Sequence, residues 1–372
     1  MERELERTKE REPLAFFDSA RERVEWDIAM RRRLMGPRVV KFDSVPWVTS
    51  STDRLHKQFV WPPWQETQYK WPIRTMFAAE QVIPPKQVGA LRHRHYNEAI
   101  FYVIEGKGHE IHDGIRYDWQ AGDIYTIPVY ADHQHINDSP TEPARLFLSA
   151  NSYIYTFAGM SHVDQLKLPK TPPDADPILG PEGEVLGFRY KDGLELRFGL
   201  DPAWEARIRY ATTNPLVTKP AKTTYDGYVT RLKDEFEFTL KQPHVVKQRD
   251  VPWEDTRMGR IKFMVHPGRI TGMYLYDAFI QEIPPGGRSG KHRHLSEELH
   301  LIVEGKGYDV HDGGRWEWEK EDVVCIPTGV VHQHFNADAH RPARFVAFQS
   351  RLAMAMGHGG IEHLEDCPEF RE

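Results

Sequence analysis

Short apolar runs alternate with polar turns over much of this chain. Residues 99–119 read AIFYVIEGKGHEIHDGIRYDW, in which runs of Ile, Phe, Tyr and Val are interrupted by EGKG and HDG. Residues 299–318 repeat the pattern as LHLIVEGKGYDVHDGGRWEW. Apolar runs of this length between glycine-containing turns are typical of antiparallel strands. A succession of such strands predicts an all-β barrel or jelly roll.

The two halves of the chain carry the same pattern at a fixed distance. Between 93–145 and 292–344 the offset is 199 residues without a gap, and 23 of the 53 aligned positions are identical. The similarity continues upstream, where VKFDSVPW at 40–47 resembles VKQRDVPW at 246–253. Self-similarity of this length indicates two duplicated domains rather than a solenoid of short repeats.

One amphipathic helix is predicted before the first domain. Residues 14–35 place their apolar side chains near one face, and Gly36-Pro37 ends the pattern. Further on, the segment around TPPDADP carries several charge clusters and reads as a connector with some strand content. We therefore expect an N-terminal helical arm and lead-in over 1–60, a first domain over 61–160, the connector over 161–245 and a second domain over 246–372.

Composition and charge exclude several classes of protein. The net charge is -6 with Lys and Arg scattered, so no basic stripe indicates nucleic acid binding. No apolar run reaches the roughly 18 residues that a membrane helix needs, and the charged start MERELERTKERE is unlike a signal peptide. The two cysteines lack CxxC spacing and cannot form a disulfide framework. We expect a cytoplasmic protein.

Histidine is the informative residue type, since 13 of the 19 histidines fall within the two repeated windows. His93 and His95 stand two apart, which puts both side chains on one face of a strand, and His133 follows after a hairpin. An isolated histidine is more often a buried polar residue bonded to backbone. An HxH pair with a distant histidine, repeated at identical spacing, favours a metal such as Fe, Cu, Ni or Zn. The second copy has His292, His294 and His332 in the matching places.

Two pairs of motifs resemble those of the cupin superfamily. GALRHRHYNEAIFYVIEG and SGKHRHLSEELHLIVEG are similar to its first motif, an HxH followed by Glu and then Gly. IPVYADHQHIN and IPTGVVHQHFN are similar to its second, Pro-x-Gly-x-x-His-x-x-x-Asn. The chain therefore resembles a bicupin, which implies two tandem jelly-roll barrels. The resemblance also implies the metal ligands His93, His95 and His133 in the first barrel and His292, His294, Glu298 and His332 in the second.

Among bicupins, a three-histidine first site with Ala99 at the Glu position resembles the gentisate 1,2-dioxygenase group. That group also includes salicylate and 1-hydroxy-2-naphthoate ring-cleaving enzymes. The resemblance implies that Phe77 and Gln81 contact the substrate and that His135 is an acid/base residue. Alternatives stay open for two of them. Gln81 recurs as Gln281, which suggests that both side chains hydrogen-bond to the barrel backbone. His135 lies on the ligand face of its strand, where it could be a packing residue of the barrel interior.

Three features depart from the group. Its carboxylate-binding Arg corresponds to Phe101, which we place among the substrate-binding residues, and its LDGLD segment is replaced by LSANSY at 148–153. The second cupin, usually stripped of ligands in that group, is the more complete one here. These departures concern the choice of substrate more than the reaction class.

The leading hypothesis is an Fe(II)-dependent, extradiol-type ring-cleaving dioxygenase that inserts O2 into a hydroxylated aromatic acid or related phenol. Three neutral imidazoles leave one face of an iron ion open, and no Gly-rich phosphate loop indicates an organic cofactor. The harder oxygen of Glu298 suits Mn(II) or Fe(II) at the second site. The alternatives are a Mn-dependent decarboxylase or oxidase of the oxalate type and a non-catalytic, ligand-binding bicupin. We expect a homo-oligomer without nucleic acid or membrane partners.

Overall fold

A computed structural model describes two halves of similar architecture. The described residues are 36–49, 55–60, 72–89, 92–129, 131–157, 163–165, 174–179, 185–197, 223–225, 227, 242–266 and 273–371. The predicted helix over 14–35 and most of the predicted connector lie outside them. Within them, no helix is long and apolar enough to span a membrane.

Short strands make up most of the regular structure. In the first half they are β1 (Val39–Val40), β2 (Val48–Thr49), β3 (Leu55–Val60), β4 (Phe77–Ile83), β5 (His93–His95), β6 (Ala99–Glu105), β7 (Lys107–His112), β8 (Ile115–Gln120), β9 (Ile124–Ile127), β10 (His133–Asn137), β11 (Ala144–Ala150) and β12 (Val163–Gln165). In the connector they are β13 (Ala175–Leu179), β14 (Val185–Tyr190) and β15 (Glu195–Arg197). In the second half they are β16 (Val245–Val246), β17 (Glu254–Thr256), β18 (Gly259–Val265), β19 (Tyr276–Ile283), β20 (Lys291–His294), β21 (Glu298–Glu304), β22 (Lys306–His311), β23 (Gly314–Glu319), β24 (Val323–Ile326), β25 (His332–Asn336), β26 (Ala343–Ser350) and β27 (Ile361–Glu365). The short helices are α1 (Ser152–Phe157) and α2 (Leu352–Ala355), with 3-10 turns at Phe42–Ser44 and Gln248–Asp250.

Each half folds as a two-sheet barrel. The first has the strand orders β16-β9-β6-β11-β4-β3-β2 and β12-β5-β10-β7-β8, and the second has β1-β24-β21-β26-β19-β18-β17 and β23-β22-β25-β20-β27. Burial alternates along β10, so His133, His135 and Asn137 are turned inward. The sheets confirm the predicted all-β class with two tandem barrels. The connector strands form a separate sheet, β13-β14-β15.

The two barrels exchange their leading strands. β1 pairs with β24 of the second barrel, where Val39 lies opposite Val324. β16 pairs with β9 of the first barrel, where Val245 lies opposite Tyr125. Each seven-stranded sheet is therefore completed by the strand that precedes the other barrel. The boundary predicted at residue 246 falls inside β16, so the lead-in of the second domain belongs to the sheet of the first.

The repeated segments VKFDSVPW and VKQRDVPW anchor the exchanged strands. Lys41 Nζ donates to Asp322 Oδ2 at 2.6 Å, and Lys247 Nζ donates to Asp123 Oδ2 at 2.9 Å. Both aspartates are buried and stand one residue before β9 or β24. Because hydrogen bonds between charged groups are stronger than neutral ones, each lysine fixes its exchanged strand to the other barrel.

Apolar side chains pack in three layers. One cluster lies inside the first barrel around Trp119, and another lies inside the second around Trp318 and Phe345. The largest cluster draws on the seven-stranded sheets of both barrels, and within it the rings of Phe147 and Phe348 are 5.4 Å apart. Burial of each large apolar side chain stabilises a fold by about 1.5–3 kcal/mol. The shared layer therefore joins the two barrels.

The turn sequence EGKG contains two glycines with different roles. Gly106 has a φ of 92°, a left-handed conformation that glycine adopts without steric cost. Gly108 lies on β7, where a Cβ would lie 2.0 Å from the carbonyl oxygen of Ile136 and 2.6 Å from the Trp119 ring. Gly307 meets the same constraint in the second barrel. The repeat thus preserves a close contact between strands as well as a turn.

Asn137 closes one end of the first barrel. Its Nδ2 donates to the carbonyl oxygens of Ile83 and Glu142, both at 2.9 Å, and its Oδ1 accepts from Ser139 N at 2.9 Å. Because alanine leaves these groups unsatisfied, we expect Asn137→Ala to lower the free energy of unfolding by about 2 kcal/mol. Urea denaturation measures the loss. The exposed side chain of Glu142 provides the control, since Glu142→Ala should stay within about 0.5 kcal/mol; equal effects would contradict the prediction.

Candidate metal centres and cavity

Three histidines converge inside the first barrel. β5 and β10 pair with His93 opposite His133, and strand alternation places His95 on the same face as His93. The ring centroids are 4.2 Å apart for His93 and His133, 4.8 Å for His95 and His133, and 5.6 Å for His93 and His95. One nitrogen of each ring lies within 4.8 Å of the others. The structure therefore brings the three predicted ligands together.

Backbone carbonyls orient two of these rings. His95 Nδ1 donates to Asn97 O at 2.6 Å, and His133 Nδ1 donates to Ala131 O at 2.8 Å, which leaves a lone pair on each Nε2. Burial, together with the neighbouring His93, lowers the pKa of His95 to about 3. Burial also holds the pKa of His133 well below its usual range. Neutral imidazoles anchored through one nitrogen are suited to bind a metal through the other.

A cavity of about 610 Å³ opens beside the three histidines, which is a volume typical of small-molecule sites. Ala99 lines it without offering a carboxylate, at the position that Glu298 occupies in the second barrel. The remaining residues predicted to act at the first site also line this cavity; their roles stay predictions. These residues are Phe77, Gln81, Phe101 and His135.

A buried carboxylate orients His135. Its Nδ1 lies 2.6 Å from Glu110 Oε2, and Glu110 also accepts from Trp119 Nε1 at 3.0 Å. Burial holds the pKa of the Glu110 carboxyl group well above its usual range. The pair recurs in the second barrel, where His334 Nδ1 lies 2.9 Å from Asp309 Oδ2. The acid/base role and the packing role of His135 therefore both stay open.

The two copies of the repeated glutamine have different surroundings. Gln281 Nε2 donates to Met258 O at 2.7 Å, which is the backbone role considered for both copies. Gln81 lies on β4 opposite His56 of β3, and both line the first cavity. The backbone role is thus observed in the second barrel, and contact with substrate stays the prediction for Gln81.

A matching histidine cluster lies inside the second barrel. His292 and His332 face each other across β20 and β25 with ring centroids 4.2 Å apart, and His294 lies 4.9 Å from His332. His294 Nδ1 donates to Ser296 O at 2.8 Å, and His332 Nδ1 donates to Val330 O at 2.9 Å. The Nε2 atoms of His292 and His332 are buried without a hydrogen-bond partner among the described residues. Buried polar atoms are rarely left unpaired, so these atoms fit a bound metal.

A carboxylate adjoins this second cluster. Glu298 Oε2 lies 3.0 Å from His294 Nε2, where the resemblance places the fourth ligand, and Glu298 Oε1 lies 3.1 Å from His300 Nε2. The corresponding residues of the first barrel are Ala99 and Phe101, which are both apolar. The first centre therefore offers three imidazoles, and the second offers three imidazoles with a carboxylate in contact with one of them, His294.

Several residues near the two centres were not predicted. His300, Asp309 and His334 form a further buried group whose ligand atoms lie within 4.8 Å of one another, and His56 lines the first cavity. The repeat carries a signal for His300, because the two copies differ there and the first has Phe101. No pattern in the sequence points to His56, since it lies outside the gap-free repeat.

Two segments of the chain match a known protein family. Residues 79–150 and 279–348 each match the family described as the cupin domain. The first segment runs from β4 to β11, and the second runs from β19 to β26. Each match therefore covers the main part of one barrel.

Two sequence relatives are gentisate dioxygenases. Gentisate 1,2-dioxygenase from a Ralstonia species is 28% identical over 156 residues, which is 41% of this chain and 41% of that protein. Gentisate 1,2 dioxygenase 1 from Aquipseudomonas alcaligenes is 21% identical over 280 residues, 75% of this chain and 71% of that protein. The match to the Ralstonia protein thus spans less than half of that relative's length.

Solved structures share the arrangement of the strands. Salicylate 1,2-dioxygenase from Pseudaminobacter salicylatoxidans aligns with a TM-score of 0.50 at 15% identity, over 80% of this chain and 77% of that one. A deletion mutant of oxalate decarboxylase from Bacillus subtilis aligns with a TM-score of 0.52 at 13% identity, over 84% and 77%. At these identities the likeness concerns the fold alone.

Proposed function

Because the chain is a bicupin that is similar to the gentisate 1,2-dioxygenase group, we propose that its first barrel is a ring-cleaving dioxygenase site. The substrate would be a hydroxylated aromatic acid or a related phenol. One observation carries the proposal: three converging imidazoles border a cavity of about 610 Å³ whose walls include Phe77 and Phe101. An aromatic ring beside a metal with open positions is the arrangement that ring cleavage by O2 requires.

The first centre fits Fe(II), since it offers three neutral nitrogen donors and no thiolate. His93, His95 and His133 would hold the ion. Fe(II) bound there would supply open coordination positions and the electron transfer that joins an electron-rich ring to O2. Both oxygen atoms remain in the cleaved product, so the reaction needs neither an external reductant nor an organic cofactor.

The chain's own side chains would bind the ring and move its proton. Phe77 and Phe101 offer apolar surfaces against which an aromatic substrate packs, and Gln81 offers a hydrogen bond to a ring substituent. His135 Nε2 would accept the phenol proton while its Nδ1 stays bonded to Glu110 at 2.6 Å. Phe101 cannot bind a carboxylate. A carboxylate of the substrate would therefore have to bind other residues, or the substrate would have none.

A His135→Gln substitution tests the proposed proton acceptor. Loss of general base catalysis is expected to lower kcat by about 10²-fold, while the metal content of the protein stays unchanged. Steady-state oxygen uptake and elemental analysis measure the two quantities. His334→Gln, the matched change in the second barrel, should leave kcat close to that of the unmodified protein; unchanged turnover in His135→Gln would favour a packing role instead.

One observation favours a second candidate function. The second centre has three histidines, and Glu298, which lies 3.0 Å from His294 Nε2, would as the expected fourth ligand complete a donor set that suits Mn(II). A Mn-dependent decarboxylase or oxidase of the oxalate type would use such a centre. Ala99 and the aromatic walls of the first cavity do not serve that chemistry, so we place it second, with a non-catalytic ligand-binding bicupin after it.

The deciding experiment combines metal content with oxygen uptake. Protein purified with and without air is analysed for iron and manganese, and O2 consumption is followed with gentisate, salicylates, hydroxynaphthoates and aminophenols. Iron together with substrate-dependent O2 consumption supports the ring-cleaving dioxygenase. Manganese, no uptake with any aromatic compound and CO2 release from oxalate would replace it with the second candidate. Absence of any metal would leave a non-catalytic bicupin.

Two properties of the whole protein belong to the same proposal. We expect a homo-oligomer, in which the charged N-terminal segment and the connector would exchange with a neighbouring subunit. We also expect a cytoplasmic location. Size-exclusion chromatography with light scattering tests the first, and fractionation of the source cells tests the second.

A further inference from the structure

We propose that Glu297 is a positioning residue that couples the second metal centre to the substrate cavity of the first barrel. Glu297 belongs to the second barrel, but groups of the first barrel bind its carboxylate. Its neighbour in sequence is Glu298, the expected fourth ligand of the second centre. The inference rests on the proposed function for the identity of the two sites.

The first barrel surrounds the Glu297 carboxylate with donors. Thr75 donates to Oε2 through its backbone N at 2.7 Å and through its Oγ1 at 2.6 Å. Arg74 N lies 3.0 Å from Oε1 and 2.9 Å from Oε2. The glutamate is 5% exposed. Because a buried carboxyl group needs its hydrogen-bond partners, these contacts fix the position of Arg74 and Thr75.

The fixed segment leads directly into a wall of the first cavity. Met76 follows it, and β4 begins at Phe77. Phe77 lines the cavity, whereas Met76 and Ala78 are fully buried in the apolar layer shared by the two barrels. Since packed interiors transmit small displacements instead of absorbing them, a shift of residues 74–75 would move Phe77 against a bound ring.

The other end of the coupling lies at the second centre. Glu297 and Glu298 are consecutive, yet Glu297 reaches into the first barrel and Glu298 reaches His294 at 3.0 Å. These two consecutive residues thus direct one carboxylate toward the first barrel and one toward the second. Binding of a metal by Glu298 would restrict this peptide and, through Glu297, the segment before β4.

A matched control exists in the first barrel. Glu98, the repeat counterpart of Glu297, accepts hydrogen bonds from the backbone N of Tyr274 and of Leu275, the latter at 2.8 Å. Glu98 therefore holds the segment before β19 as Glu297 holds the segment before β4. Its neighbour is Ala99, which cannot bind a metal. Glu98→Gln weakens a contact of the same kind without touching the route from the second centre to β4.

The test separates metal binding from catalysis. In a full-length His93→Ala background, which disables the first centre, chelator-stripped protein is loaded with Mn(II) and hydrogen–deuterium exchange is followed at the amides of residues 76–83. We expect loading to slow this exchange by about fivefold or more, the lower end of measured couplings between sites. With Glu297→Gln added the slowing should disappear, and with Glu98→Gln added it should persist.

Three outcomes would overturn the coupling. They are equal slowing with and without Glu297→Gln, absence of slowing although Mn(II) is bound, and absence of Mn(II) binding to the second centre. If Glu297→Gln does not fold, Thr75→Val replaces it, because it removes one bond to the carboxylate and is expected to reduce the slowing. Failure of the proposed function would be seen separately, because no aromatic compound would then support O2 uptake. The exchange experiment uses no substrate, so its result does not depend on that outcome.

Discussion

Substrate-dependent O2 uptake is expected to fall by about 10³-fold or more in His93→Ala, whereas His292→Ala is expected to retain activity within about tenfold of the unmodified protein. The loss is expected because His93 is one of the three proposed metal ligands, and its removal would cost several kcal/mol of metal-based stabilisation of the transition state. The retained activity in His292→Ala is expected because the cavity lined by the proposed substrate contacts Phe77, Gln81 and His135 adjoins the first centre. Any moderate loss in His292→Ala would reflect coupling between the barrels.

Elemental analysis of the two variants provides the control for this prediction. Each substitution should remove metal from its own barrel and leave the other loaded, with thermal unfolding close to that of the unmodified protein under metal-free conditions. Loss of activity confined to His292→Ala would move the chemistry to the second barrel. An equal and complete loss in both would mean that neither barrel works alone.

Gly108→Ala is expected to lower the free energy of unfolding by about 3 kcal/mol or more. The added Cβ would lie 2.0 Å from the carbonyl oxygen of Ile136, so β7 and β10 would have to separate. β10 carries His133 and His135, and the separation should also lower the metal content. Urea denaturation followed by tryptophan fluorescence measures the stability, since Trp119 contacts the same position.

A neighbouring glycine supplies the comparison. Gly114 has a φ of 83°, but a Cβ added there would meet no described atom within 4 Å beyond its chain neighbours, so Gly114→Ala should cost only the backbone term of about 1–2 kcal/mol. Gly307→Ala repeats the steric test in the second barrel, where Phe335 O would lie 2.0 Å away. Similar effects of Gly108→Ala and Gly114→Ala would show that the strand contact relaxes at little cost.

The parts of the candidate site that follow from local geometry were predictable from sequence. Strand alternation places His93 and His95 on one face, and the repeat offset of 199 residues supplies the second set with no knowledge of the fold. The resemblance to the gentisate 1,2-dioxygenase group added Phe77 and Gln81, and both line the cavity. Their chemical roles depend on a bound substrate and remain predictions.

Contacts between distant parts of the chain were not predictable. The similarity of VKFDSVPW to VKQRDVPW is visible in the sequence, but nothing in it shows that each segment pairs with the other barrel. The contacts of Glu297 were not predictable for the same reason, because its partners Arg74 and Thr75 are more than 200 residues away. Strand exchange and buried carboxylates between domains arise from tertiary packing. The hydrophobic pattern and the motifs along the chain do not reveal such contacts.

The exchanged strand β1 also sets an order of events during synthesis. Val39–Val40 leaves the ribosome early, but its partner β24 follows only after most of the remaining chain, roughly tens of seconds later at about 5–20 residues per second. Until then Val39–Val40 lacks the partner strand that it has in the folded protein. Because this pairing joins residues far apart along the chain, we expect completion of the second barrel's sheet to be a late and slow step of folding.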